Sequence, residues 1–267
     1  RQRQMCIRDS ANAVVLLGRI LDAIGRATTM RLCSVSGGSK NNAIPVSACA
    51  TLVVENRGRA AAACRRMEEV FRREYAVADG AITVSAQSGQ DAGVPMDADT
   101  TRRALTLLQC APNGVQEMSR EVEGLVQTSL NLGILTTSAD SVRASFCVRS
   151  NINSQKEMLL RRLELLSAVF GGTFSISGDY PAWEYSADSP LRRLMAEVFA
   201  EQCGHAPTVE VIHAGVECGL LADKLSRLDC VSIGPDLTEI HTPRERMHIA
   251  SVQRTWALLT ETLRRLR

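Results

Sequence analysis

The pattern of the chain changes near residue 180. Before it, extended apolar runs come in neighbouring pairs with helical stretches beside them. After it, helix and strand patterns alternate one by one. Paired runs imply antiparallel strands with helices packed against them, an α+β unit. Strict alternation implies an α/β unit built on a parallel sheet. A chain of 267 residues is long enough for two such units. The fold class expected is therefore mixed α/β, with an α+β unit over 11–180 and an α/β portion over 181–267.

Within the first unit, apolar residues at 14, 15, 17, 21 and 24 predict a helix over 11–26. Strands are expected at 29–36 and about 47–55, with Gly37-Gly38 supplying the turn and Pro45 keeping Ile44 extended. A charged amphipathic helix follows at 57–77, then a strand at 81–87. Asp99 and Thr100 are candidate caps of a helix ending near Gln109. Two β-rich runs around Ser-Ala-Asp-Ser predict a hairpin, and 153–169 a helix ended by Gly171-Gly172. A strand is expected from 173 to 183. In the second unit, Ser189 and Pro190 open a helix that ends near Gly204. Strands at 208–213 and 229–235 enclose a helix after "AGVECG", and a final helix begins near Met247.

Composition removes several function classes. With 31 basic and 29 acidic side chains the net charge is +2, which gives no reason to invoke nucleic acid or an anionic membrane. No apolar run reaches the ~18 residues that span a bilayer. The nine cysteines are odd in number and widely spaced, with no C-x-x-C pair. They read as reduced thiols of a cytoplasmic protein rather than a disulfide framework. The opening "RQRQMCIRDS" has no signal-peptide form and no link to the helical pattern that follows. Residues 1–10 are expected to be a non-native leader on a truncated reading frame.

The four histidines are 205, 213, 241 and 248. His213 ends "VEVIH" and His241 follows "CVSIGP" by a short loop. Both sit where the C-terminal edge of an α/β sheet would bind ligands, and imidazole is the commonest zinc ligand. For each one, a hydrogen-bonded structural histidine is the competing reading. His205 belongs to a helix C-terminus, and His248 to packing or surface. Glu217 and Asp236 are the acids nearest these histidines. The sequence holds no H-x-D, no H-E-x-x-H, no G-x-S-x-G, no P-loop and no complete G-x-G-x-x-G. At most, part of a metal centre is present.

Five segments carry a resemblance: "GGSKNNAIP" (37–45), "APNGVQEMSREVEGLVQTSLNLGIL" (111–135), "GDYPAWEYSADSPL" (178–191), "IHAGVECGLL" (212–221) and "VSIGPDLTEIHTPRERMHIASV" (231–252). Together they resemble the C-terminal half of the bacterial aminoacylhistidine dipeptidases. These are also called beta-Ala-His or cytosol non-specific dipeptidases, and they are carnosinase-like di-zinc metallopeptidases. The resemblance covers essentially residues 11–267.

The resemblance implies a catalytic α/β domain interrupted by an α+β lid, which also dimerises. Residues 11–180 would be most of the lid and 181–267 the returning end of the catalytic domain. His241 matches a zinc ligand. Glu217 and His213 match the substrate pocket. Asn42 and Arg149 match lid positions that grip substrate, Arg149 by a bidentate bond to a peptide carboxylate. A bracing role for Asn42 and a surface ion pair for Arg149 are their plain alternatives. A complete site would hold two Zn2+, with Mn2+ or Co2+ as substitutes, and would hydrolyse short peptides such as Xaa-His in a homodimer. The other metal ligands and the glutamate base have no counterpart here, so the chain alone is expected to be inactive. Two rivals remain: a stand-alone lid-type binding module, and an N-acyl-amino-acid amidohydrolase.

Overall fold

The computed structural model describes residues 11–89, 93–210, 217–225, 227–240 and 242–266. These fall into two compact units. One comprises the described residues up to 150 together with 154–176, the other 151–153 together with 177–266.

The first unit is a helix-backed antiparallel sheet. Helix α1 (Ala13–Ala27) starts at Asn12, whose side chain accepts from the Val14 and Val15 N–H groups. Its buried residues Val14, Leu17, Leu21 and Ile24 recur at helical spacing and form one stripe. That stripe meets strand β1 (Met30–Gly37), which pairs antiparallel with β2 (Ala48–Val54) and carries a bulge between Leu32 and Ser34. Helix α2 (Arg57–Glu74) buries Ala63, Cys64 and Phe71. Helix α3 (Ala98–Cys110) is capped by Asp97, which accepts from the Thr100 N–H at 2.7 Å. The cap is thus two residues earlier than Asp99, which lies inside the first turn. The Thr100 N–H and hydroxyl hold the Asp97 carboxyl below its ordinary range.

Strand β3 (Gly114–Met118) pairs with the first half of β4 (Val126–Thr137), and β5 (Val142–Ser150) pairs along β4's other side. The sheet order is β2-β1-β4, with β1 and β4 joined at Gly37 and Leu135. The β4–β5 hairpin closes with the Ser138 N–H donating to the Ser141 carbonyl. Helix α4 (Asn153–Val169) lays Leu159 and Leu163 on Leu130, while Leu132 and Leu135 join the cluster built on α1 and β1. Each such side chain, once buried, contributes on the order of 1.5–3 kcal/mol.

The second unit is built differently. Helix α5 (Pro190–Cys203) has Ser189 as cap and ends on Gly204 in the left-handed region at φ 75°. Asp229 ties its start, accepting from the Ser189 hydroxyl at 2.6 Å and the Leu191 N–H at 2.8 Å. Helix α6 (Glu217–Lys224) follows, then a short antiparallel pair, β6 (Leu237–Thr238) and β7 (Arg246–Met247). Helix α7 (Ile249–Arg265) packs on α5. Its buried residues are Ser251 and Thr262, with Thr255 and Leu258 half-buried on the same face. Its apolar stripe faces out: Ile249, Val252, Trp256, Leu259 and Leu263 are all exposed, Trp256 by 65%. The helix is amphipathic, and here it buries the more polar side.

Three expected strands are missing among the described residues, and the one expected at 208–213 lies half outside them. Residues 81–87 are irregular, although Ile82 and Val84 pack against the α1–α2 core. Alternation reported one-sided packing there, and no neighbouring strand completes a ladder. Residues 173–183, 208–210 and 229–235 are likewise outside any sheet. The parallel sheet expected after residue 180 is therefore not formed by the described residues. A strand needs partners to satisfy its N–H and C=O groups, and the described part of this unit supplies only the β6–β7 pair. No helix is long and apolar enough to cross a membrane among the described residues.

Candidate functional site

On the sheet unit the candidate residues gather around β4. Asn42 is exposed in the turn after β1. That turn is bolted to the sheet by Asn131, whose side-chain amide donates to the Asn41 carbonyl at 2.9 Å and the Ala43 carbonyl at 2.8 Å. Asn131 in turn accepts from the Asn12 amide at 3.1 Å, which also donates to the Leu132 carbonyl at 3.0 Å. Asn113 closes the network by accepting from the Leu132 N–H at 2.8 Å. One buried polar chain thus caps α1, fixes β4 and holds the two residues flanking Asn42. Buried amides are costly unless paired, so this network has one satisfied arrangement.

Glycines permit the approach. A Cβ on Gly133 would stand 2.4 Å from the Asn41 carbonyl oxygen, and one on Gly38, at φ 70°, 1.9 Å from the Gly133 carbonyl oxygen. Any side chain at either position would push the turn off the sheet.

Arg149 lies on β5 directly across from Ser129 of β4, with Asn131 two residues further along the same face. The other face, carrying Leu130 and Leu132, packs on the helices. The sheet therefore presents Arg149 and the Asn131-held turn from one side. Ser129 is 1% exposed, and its hydroxyl has no hydrogen-bond partner among the described residues.

In the other unit, Glu217 is the exposed first residue of α6. His213 and His241 lie outside the described residues. His205 follows the α5 terminus, stacked edge-on to Phe199 at 5.4 Å, with Nδ1 3.0 Å from the Ala206 carbonyl oxygen. His248 is the N-cap residue of α7 and makes no side-chain cap bond. Asp236 pairs with Arg254 at 2.9 Å, and its N–H donates to the Ser251 hydroxyl at 2.8 Å. Among the described residues no three His, Cys, Asp or Glu side chains converge as a metal cluster.

Residues 8–78 match the peptidase dimerisation domain family. Over 257 residues the chain is 33% identical to the cytosol non-specific dipeptidase of Escherichia coli strain K12, across 96% of this chain and 53% of that protein. The chain is a homologue of part of these dipeptidases. Its fold matches the crystal structure of aminoacylhistidine dipeptidase from Vibrio alginolyticus at a TM-score of 0.86 and 33% identity. That match covers 94% of this chain and 52% of the other. The chain spans about half the length of the dipeptidases it matches.

Sequence reasoning named Asn42 and missed the amides that hold its turn. A signal was present: Asn131 interrupts the apolar run "SLNLGIL", and an amide amid leucines needs internal partners.

Proposed function

We infer that this chain supplies the lid and one share of the catalytic domain of a zinc-dependent dipeptidase acting on short peptides such as Xaa-His. Helix α7 carries the inference. An outward apolar stripe of five residues calls for a covering layer. The relatives are about twice as long as the chain, and their unmatched half is the natural source of that layer. In the assembled protein His241 contributes one metal ligand, Glu217 and His213 contact the peptide substrate, and Asn42 and Arg149 are further substrate-binding residues, carried by the lid. Arg149 suits the peptide carboxylate, since a guanidinium fork matches two carboxylate oxygens. The lid domain also joins two copies into a homodimer, and the protein works in the cytoplasm. Among the described residues no three candidate ligands converge, so a complete metal site in this reading needs His241 together with ligands from the unmatched half of the relatives.

A chimera tests the reading. This chain replaces the matching half of the Escherichia coli dipeptidase, and Xaa-His hydrolysis and bound zinc are measured. Hydrolysis is expected, and His241→Ala should remove it together with part of the zinc. A folded chimera that hydrolyses no dipeptide, or an active His241→Ala chimera with full zinc, would overturn the reading.

A further inference from the structure

Helix α1 carries Arg19, Asp22, Ala23 and Arg26 at i, i+3, i+4 and i+7, which places them on one side. With Arg66 and Met67 of α2 and Gln109 of α3 they line a cavity of about 280 Å³ among the three helices of the sheet unit. Close packing beside it fixes the helices. A Cβ on Gly18 would stand 3.0 Å from the Leu108 Cβ of α3, and the small residues Ala63 and Cys64 of α2 are buried in the same core as α1. Three guanidiniums and one carboxylate thus share the cavity. Arg19 is committed, since both its terminal nitrogens donate to Glu74, at 2.6 and 2.8 Å. Arg26 pairs with Asp22 at 3.0 Å, with its side chain 80% exposed. Such an exposed pair is held weakly and can exchange its partner for a ligand oxygen. The Arg66 side chain has no ion pair or hydrogen bond among the described residues, and neither has the Gln109 amide.

We propose that this three-helix cavity binds a phosphomonoester of a small organic group. Arg66 supplies a guanidinium fork that matches two phosphate oxygens, and Arg26 supplies a second one. The Gln109 amide adds a neutral donor. Two available guanidiniums and an amide exceed what the two oxygens of a carboxylate can accept, whereas a phosphate group offers three terminal oxygens. Buried Ala23 and half-buried Met67 give the organic part an apolar surface. The volume stands at the lower edge of small-molecule sites, which run from roughly 300 to 1,000 Å³. That suits a phosphate together with a small substituent. The cavity lies on the helix side of the sheet, away from Arg149 and the Asn131-held turn, so it is independent of the dipeptidase reading.

Binding is read on the full chain at low ionic strength, by NMR of labelled arginine and glutamine side chains, with phenyl phosphate and inorganic phosphate as probes. Phenyl phosphate should shift the Arg26, Arg66 and Gln109 side-chain signals saturably, and more tightly than inorganic phosphate does. Arg66→Ala should weaken binding about tenfold, and Arg66→Lys by less, because the charge stays while the fork is lost. Asp22→Asn removes the one carboxylate that lines the cavity and frees Arg26, so it should tighten binding about threefold. Arg66 is exposed and its side chain is unbonded among the described residues, so its variants should unfold at the same temperature as the parent without ligand. No saturable shift with either probe would overturn the proposal, as would binding unchanged in both Arg66→Ala and Asp22→Asn. Inorganic phosphate binding as tightly as phenyl phosphate would overturn the phosphomonoester and assign the cavity to free phosphate.

Discussion

The two units bury their apolar residues to very different degrees. In the sheet unit, Leu132 and Leu135 are at most 1% exposed, and α1, α2 and α3 turn apolar residues into one core with them. In the other unit, α7 turns its stripe outward, and α6 leaves Leu220 and Leu221 about half exposed. Helical periodicity is equally clear in α1 and α7. Periodicity therefore tells which residues share a face and leaves open what covers that face. The sheet unit covers its own. The α5–α7 unit buries Met195 and Val198 and carries polar ties at its edges: Asp229 on α5, and Arg265 bridging Glu201 and Glu261.

The contrast can be broken at single positions. The largest effect should come from Leu132→Ala, which leaves a cavity between sheet and helices and should cost about 2–5 kcal/mol in denaturant unfolding of the sheet unit. Asn131→Ala removes both bonds to the Asn42 turn and leaves the Asn12 amide short of an acceptor. It should cost about 1–3 kcal/mol and make the amide protons of residues 39–44 exchange faster. Trp256→Ser should change the stability of the chain alone by no more than about 0.5 kcal/mol, and it should raise solubility. A loss comparable to Leu132→Ala would show that α7's outer face is already covered.

The smallest effect is electrostatic. Hydrogen bonds from Arg264 and Arg265 lower the Glu261 carboxyl from its ordinary 4.5 to about 2. The folded value lies below the unfolded one, so the contribution is fully present above pH 4.5. It is lost as pH falls toward 2. The group is exposed, so the contribution is screened by salt. Glu261→Gln should flatten the acid limb of α5–α7 unfolding at low ionic strength and leave the sheet unit's acid limb unchanged.

Much of the sheet unit was legible because its signals are local. Helix spacing in α1, the Gly-Gly turn and the Ser-Ala-Asp-Ser hairpin depend on neighbours in sequence. Less was legible after residue 180. Strands at 208–213 and 229–235 were inferred from apolar runs, yet a strand is defined by its partners, and among the described residues those partners are not in hand. The same reason accounts for 81–87, where alternation marks packing without pairing. Of the candidate site, Arg149 and Asn42 could be named from motif resemblance. The Asn12–Asn113–Asn131 network could not, since it joins positions about a hundred residues apart.

Hydrogen exchange followed by mass spectrometry, on this chain with and without the unmatched half of the Escherichia coli dipeptidase, tests the account most directly. Alone, β1, β4 and α1 should hold the slowest amides, while α6 and α7 exchange through local opening. With the added half, protection of α6 and α7 should rise about a hundredfold and that of the sheet should stay the same. If α7 is as protected as β4 in the chain alone, and the added half changes nothing, the outward stripe is not a covered face and the half-domain account is wrong.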